Sequence, residues 1–340
     1  MACGDMRING TGNLVFCSIN AIAIHIFPIL VRKFIVDIII ILSMLVVASI
    51  CVDLLFSKFL QKSRSKMLDG WNEIISQDID ADMLIVGSSR ALVQYSPRVL
   101  DSVLGVNSYN MGLDGCPFHR QYAKYRAYVH YQSKPQCVVL NIDHFLFRYE
   151  DEYEREHFFP YLVNPILRKF ILPVQRFTWC ELYLPSWRYL NNGGFLYFMN
   201  KYSCNDHLYK GFQERREPWD RTFMQKLENK SVYAKIDKRS VACFENFLKD
   251  TQKDSINVIF CYAPMYIGNT IRVANRDELI SLVDGYASHY NIPILDYTYS
   301  AISYDTTFFY NISHLNYVGA EKFSRNLAID IDSLCVMWKD

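Results

Sequence analysis

Met83-Leu84-Ile85-Val86-Gly87-Ser88-Ser89-Arg90 is the stretch from which the rest of the chain can be read. Four apolar residues stop at a glycine and then at polar side chains. That is the composition of a strand buried on both faces and ended by a turn. Comparable runs follow at Ser108-Tyr109-Asn110-Met111, at Cys137-Val138-Val139-Leu140-Asn141-Ile142, at Val258-Ile259-Phe260-Cys261-Tyr262 before Ala263-Pro264, and at Ile292-Pro293-Ile294-Leu295-Asp296. Segments of mixed polarity, long enough for helices, lie between them. The alternation predicts an α/β domain of three layers, α/β/α, around a central five-stranded parallel sheet.

The chain is 51% hydrophobic, 21% charged and carries a net charge of +1 from 36 Lys+Arg against 35 Asp+Glu. The low polarity excludes chain-wide disorder, and the balanced charge argues against nucleic acid as a partner. Ten cysteines in 340 residues are too dilute for a disulfide scaffold, and no Cys-x-x-Cys pair marks a zinc or redox site. A Cys180–Cys204 bridge has no spacing rule behind it. The histidines show no metal-ligand spacing, and neither a metal nor a cofactor is expected.

Part of the apolar excess is concentrated. Residues 34–52 read FIVDIIIILSMLVVASICV. At about 1.5 Å per residue this stretch spans roughly 28 Å, close to the hydrocarbon thickness of a bilayer. An N-terminal transmembrane helix is expected over residues 34–56. Residues 1–33 carry Asn20, His25 and Pro28 and make a poor spanning helix; an interfacial segment and an upstream extension from a misplaced start codon are the alternatives. Arg32 and Lys33 before the helix are balanced by Lys58, Lys62, Arg64 and Lys66 after it, so flanking charge taken alone favours a cytoplasmic C-terminal domain. Residues 57–80 read as a polar connector, and 81–335 as the α/β domain. Within that domain, residues from about 145 to 254 break the strand–helix rhythm and are rich in Tyr, Phe and Trp. They read as a helical insertion whose aromatics form core or stack on sugar rings.

A strand that delivers Gly87-Ser88-Ser89 into a helix puts a hydroxyl at the carboxyl edge of the sheet, where open α/β folds bind ligands. Either serine could equally be a helix cap. His314, near the other end of the chain, is expected to open a helix after the fifth strand and so to reach the same edge. A serine and a histidine brought together there have the geometry of nucleophilic acyl transfer.

Three ordered blocks carry a resemblance. Gly87-Ser88-Ser89-Arg90-Ala91, then Tyr109-Asn110-Met111-Gly112-Leu113-Asp114-Gly115, then His314-Leu315-Asn316 with Gly319-Ala320, resemble the SGNH/GDSL hydrolase superfamily, closest to its membrane-anchored bacterial branch in which GSSR replaces GDSL. The resemblance covers residues 80–332 apart from the insertion. It implies a flavodoxin-like sheet, Ser89 as nucleophile, His314 as general base, and oxyanion donors from the N–H groups of Ser89 and Gly115. The family takes a third donor from an asparagine after the third strand. Here that loop reads Asn141-Ile142-Asp143-His144, with Asn141 placed inside the strand, and Asn110 is the candidate substitute. Arg90, Asp114, Asp143 and His144 are expected to support the reacting groups.

The family places an aspartate three residues before the histidine, and this chain has Asn311. Asparagine can accept from the imidazole but adds no charge. The resemblance therefore implies either an esterase or O-acyltransferase acting on an ester, of acetyl type, of a cell-surface glycan or lipid, or a degenerate member that binds glycan or assists a membrane-bound acyltransferase. It also implies a single-pass protein of a bacterial envelope with an extracytoplasmic, periplasmic domain.

Overall fold

A computed structural model describes residues 11–76, 79–150, 155–206, 208–220, 222 and 231–334, with only the backbone described for 11–26. The chain divides into two compact units, Met1–Leu55 and Phe56–Asp340. In the first, helix α1 (Thr11–Leu60) runs without interruption past Pro28 and on into the second unit. Its stretch Phe27–Leu60 is long and apolar enough to cross a membrane, and the side chains at its centre are exposed. Pro28 removes one backbone donor, yet it does not end the helix.

In the second unit, α2 (Asp69–Ser76) precedes β1 (Met83–Val86), α3 (Ser89–Gln94), α4 (Pro97–Leu104), β2 (Ser108–Asn110), α5 (Phe118–Tyr131) and β3 (Cys137–Asn141). The insertion contains α6 (Pro165–Ile171), α7 (Trp179–Tyr183), α8 (Trp187–Leu190) and α9 (Gly194–Tyr202). Then come α10 (Lys238–Lys253), β4 (Asn257–Tyr262), α11 (Ile267–Thr270), α12 (Arg276–Tyr290), β5 (Ile294–Asp296), a short pair β6 (Phe309–Asn311) and β7 (His314–Leu315), and α13 (Tyr317–Ser333).

The five-stranded sheet is parallel in the order β2-β1-β3-β4-β5. Register pairs Ile85 with Asn110 and Val86 with Leu140, so the carboxyl ends of β1, β2 and β3 are level. The two-residue period of a strand sends neighbouring side chains to opposite faces. Leu84 and Val86 join Phe118 and Tyr125 of α5, Phe244 and Phe247 of α10, and Val283 of α12. Met83 and Ile85 join Tyr95, Leu100 of α4 and Phe323 and Leu327 of α13. The three layers foreseen from the strand runs are present. Strand β5 starts at Ile294 rather than at 292, because Pro293 lacks an N–H for the ladder and contributes only its carbonyl, to Phe260 N.

Two expectations need redrawing. Helix α10, counted with the insertion in the sequence reading, is the crossover between parallel strands β3 and β4 and packs on the sheet through Phe244, Phe247 and Leu248. Residues 57–80 are more than a connector: Leu60, Leu68, Trp71 and Ile74 are buried in the core with the insertion's Phe158 and Tyr161. The insertion's aromatics are divided. Phe158, Phe159, Tyr189 and Phe198 are core, whereas others face outward.

Glycine matters here for close approach. A Cβ at Gly87 would lie 2.6 Å from the Ala91 Cβ and 2.8 Å from the Asn141 Cβ, and one at Gly112 would lie 2.3 Å from the Leu92 backbone N. The loop after β2 thus lies directly on α3. Gly112→Ala forces backbone apart and is expected to cost about 1–3 kcal/mol or more, read as a lowered denaturation midpoint. Gly285→Ala, in α12 with open space around it, is expected to stabilise by about 0.5–1 kcal/mol. Equal effects of the two substitutions would contradict this packing.

Candidate active site

In the order β2-β1-β3-β4-β5, the chain leaves β1 toward one side and β3 toward the other, which opens a crevice at their carboxyl ends. Gly87-Ser88-Ser89 turns out of β1 into that crevice. Ser88 is the residue before α3, but its hydroxyl does not cap the helix; it meets Asp143 Oδ2 at 2.5 Å, across from the end of β3. Ser89 is the first residue of α3, and its Oγ lies 2.8 Å from His314 Nε2, over a sequence separation of 225. As the first helical residue, Ser89 has a backbone N–H with no intrahelical acceptor.

His314 does not open a helix as expected. It sits in the antiparallel pair β6/β7, opposite Asn311, and α13 starts at Tyr317 behind the Asn316 cap. This small ribbon has a physical purpose. Asn311 Oδ1 accepts the backbone N–H groups of Ser313 at 2.9 Å and His314 at 3.0 Å, and also lies 3.0 Å from His314 Nδ1. Two backbone donors identify that atom as the amide oxygen. An oxygen can only accept, so Nδ1 carries the proton and the Nε2 lone pair faces Ser89. Asn311 therefore sets the tautomer that a general base needs. Tyr310 stacks on the imidazole with centroids 5.6 Å apart, and the Arg215 guanidinium lies 4.9 Å over Tyr310.

The electrostatics favour the neutral imidazole. Burial, reinforced by the positive charges of Arg90 and Arg215, lowers the His314 pKa to about 4, while the Asp114 and Asp143 carboxylates oppose this. His144, in the loop after β3, is likewise pushed down by burial, and its ring packs against Phe145.

The expected supporting residues are distributed as follows. Arg90 is buried and donates to the Ala263 and Pro264 carbonyls, tying α3 to the end of β4. Asp143 holds Ser88, and Asp114 pairs with Lys66 at 2.5 Å. Gly115 takes a left-handed φ of 59° in the loop after β2, and its carbonyl accepts from Arg148. Asn110 is a correction. Its amide nitrogen donates to the carbonyls of Ala91 and Tyr95 at 2.7 and 2.9 Å, and its oxygen accepts from Gly112 N at 2.8 Å. It braces the loop onto α3 and has no amide proton left for an oxyanion. Asn141 lies within β3 as foreseen, as its last residue, and its oxygen accepts from Tyr95. The bridge considered between Cys180 and Cys204 does not form; both are free thiols.

Three residues at the site escaped the sequence reading. Gln94 donates to the carbonyls of Pro264 and Ser313, joining α3 to the histidine loop. Its position one turn and a residue after Ser89 was the available signal. Tyr310 adjoins Asn311 and was within reach of inspection. Arg215 comes from the segment after the insertion helices, and nothing local marks it.

No protein family matched the chain, and neither did any curated protein. Among solved structures, the chain is similar to a Bacteroides fragilis protein described as a "putative acylhydrolase", at 13% identity and a TM-score of 0.38, over 75% of this chain and 87% of that one. It is also similar to a Desulfitobacterium hafniense protein described as a "putative lipolytic protein of G-D-S-L family", at 11% identity and a TM-score of 0.37, over 73% and 98%. Similarity at this level carries no functional argument.

An NMR titration of the His314 imidazole is expected to give a midpoint near 4. The unfolded chain binds this proton at about pH 6.5. The unfolded state therefore holds more protons between the two values, and the His314 contribution to stability falls as pH drops from about 6.5 toward 4. Asn311→Asp places a carboxylate on Nδ1–H and is expected to move the midpoint upward. A wild-type midpoint at or above 6.5 would refute the assigned environment.

Proposed function

We propose that this chain is a membrane-anchored serine esterase or O-acyltransferase. The observation that carries the reading is the chain of contacts Asn311 Oδ1, His314 and Ser89 Oγ, at 3.0 and 2.8 Å. Hydrogen-bond reach between a nucleophile and a base, with a third group orienting the base, is the requirement for acyl transfer.

In this reading Ser89 Oγ attacks the ester carbonyl carbon while its proton passes to His314 Nε2. The carbonyl oxygen becomes the oxyanion, received by the N–H groups of Ser89 and Gly115. The oxyanion then re-forms the carbonyl as the bond from the acyl carbon to the alkoxide oxygen breaks; the imidazolium gives its proton to that oxygen, so the alcohol departs and the acyl group stays on Ser89 Oγ. Attack on that acyl group by water gives hydrolysis, and attack by a second hydroxyl gives transfer. Asn311 supplies orientation without charge. Asp114 and Asp143 act on His314 electrostatically from farther away and partly offset that loss.

The substrate class proposed is a short-chain, acetyl-type ester on an envelope glycan or lipid, met on the extracytoplasmic side of a bacterial membrane. The apolar helix at the N-terminus supports it, because an anchored enzyme suits a substrate confined to a surface. A second reading rests on Asn311 itself: with no carboxylate on Nδ1, the fold could serve as a binding protein or as an aid to a membrane-bound acyltransferase.

A fluorophosphonate probe is expected to label the wild type, and Ser89→Ala and His314→Ala are each expected to abolish labelling. Equal labelling of all three would sink the catalytic reading. Asn311→Asp separates the two readings. In a serine protease the opposite change removes about 10⁴ of kcat, so a gain of about tenfold or more in ester cleavage marks a working enzyme limited by its missing charge. No activity in either form marks the binding role.

A further inference from the structure

A cavity of about 40 Å³ lies where α3, the loops after β3 and β4, and helices α11 and α12 meet. Four polar atoms of its lining residues are buried and make no hydrogen bond among the described residues: Arg90 Nε, His144 Nδ1, the Tyr262 hydroxyl and Thr270 Oγ1. Arg90, Tyr262 and Thr270 are only 6%, 9% and 1% exposed. A buried polar atom without a partner loses its hydration for nothing. Four of them around one small cavity point to something held between them.

The four atoms share one chemistry. The Arg90 Nε–H can only donate. The Tyr262 hydroxyl keeps its proton, because burial and the nearby carboxylates of Asp284 and Asp296 raise its pKa against the pull of Arg276. It is therefore a donor as well. The Thr270 hydroxyl rotates to suit its neighbour, and His144 Nδ1 donates in one of its two tautomers. A ligand that only accepts would satisfy all four.

Charge narrows the choice. Arg90 forms no ion pair among the described residues, and its guanidinium donates to the neutral carbonyls of Ala263 and Pro264. Asp143 also lines the cavity, but its two oxygens are taken by the Ser88 hydroxyl and the Phe145 N–H. Arg276 brings a second guanidinium, 3.3 Å from Thr298 Oγ1. Burial pushes His144 toward its neutral form. Two guanidinium groups against one carboxylate leave the lining positive. Water would satisfy the hydrogen bonds and leave the buried charge uncompensated, whereas an anion answers both deficits. Size sets the upper limit. A water needs roughly 10–15 Å³ of such space, so the cavity has room for about three. A phosphate or sulfate, with five heavy atoms, is too large, and a halide fits.

We propose that this cavity is a binding site for one halide ion, chloride in ordinary salt, held by Arg90 Nε, the Tyr262 hydroxyl and Thr270 Oγ1 with His144 beside it. The ion would tie α3 to the end of β4 and to α11, beneath the turn that carries Ser89. It would also offset part of the Arg90 charge that acts on His314. The site depends neither on the esterase chemistry nor on the apolar helix.

The test compares thermal unfolding of the full chain, in non-ionic detergent, in chloride, bromide, acetate and gluconate at equal ionic strength. Chloride and bromide are each expected to raise the midpoint by about 2–4 °C over gluconate. Tyr262→Phe/Thr270→Val is expected to erase that difference. Equal midpoints in chloride and gluconate overturn the proposal, and so does a difference of full size in the double variant. Stabilisation by acetate without stabilisation by bromide also overturns it, because the cavity would then belong to a carboxylate. A second measurement needs no variant. Wild-type crystals grown in bromide are expected to show an anomalous peak within hydrogen-bond distance of Arg90 Nε and the Tyr262 hydroxyl. Ordered water at that place, with no anomalous signal, defeats the halide site. Fluorophosphonate labelling reports on Ser89 separately, whichever way these results fall.

Discussion

Two backbones lie against each other where β1 ends, and the candidate site depends on that contact. Gly112 has no room for a side chain over Leu92 N, and Gly87 has none between Ala91 and Asn141. Helix α3 can therefore start directly beneath the loop after β2 and beside the end of β3. Asn110 fixes the arrangement by donating to Ala91 and Tyr95 while accepting from Gly112. With the loop clamped in this way, Ser89 leaves the sheet in one direction, and the left-handed Gly115 closes the same loop.

The histidine reaches this edge by a different device. A two-strand ribbon presents His314, and Asn311 bonds both the ribbon's backbone and the ring. The result is an orienting group that is neutral in a region where burial and two guanidinium groups already oppose a positive imidazole. His314 is thus well aimed at Ser89 and weakly basic.

The insertion unites two demands that usually fall on separate parts of a molecule. Its inner aromatics complete the core around Trp71 and Tyr161, and its outer ones remain in the open. Because the end of the apolar helix packs into the same helices, the segment that looked like a connector is structural. Leu60 and Trp71 are as buried as any strand residue.

The sequence by itself determined the sheet and its approximate strand limits, because buried parallel strands are continuous apolar runs and their ends are marked by Gly, Pro and polar residues; the choice of Ser89 rather than Ser88 as the partner of His314 came from the resemblance. It also marked the apolar helix, whose length is a matter of counting. Only the tertiary structure decided what depends on direction. Asn110 looked like an oxyanion donor because its type and place fit, yet its amide turns toward α3. His314 looked like a helix opener because a helix follows, yet a ribbon intervenes. Arg215 arrives from a distant segment without any local pattern, and the insertion's aromatics split into inner and outer sets that share one composition. Hydrophobic pattern reports whether a side chain is apolar. The partner that each polar atom finds is set by contacts between residues far apart in the chain, and no local pattern encodes them.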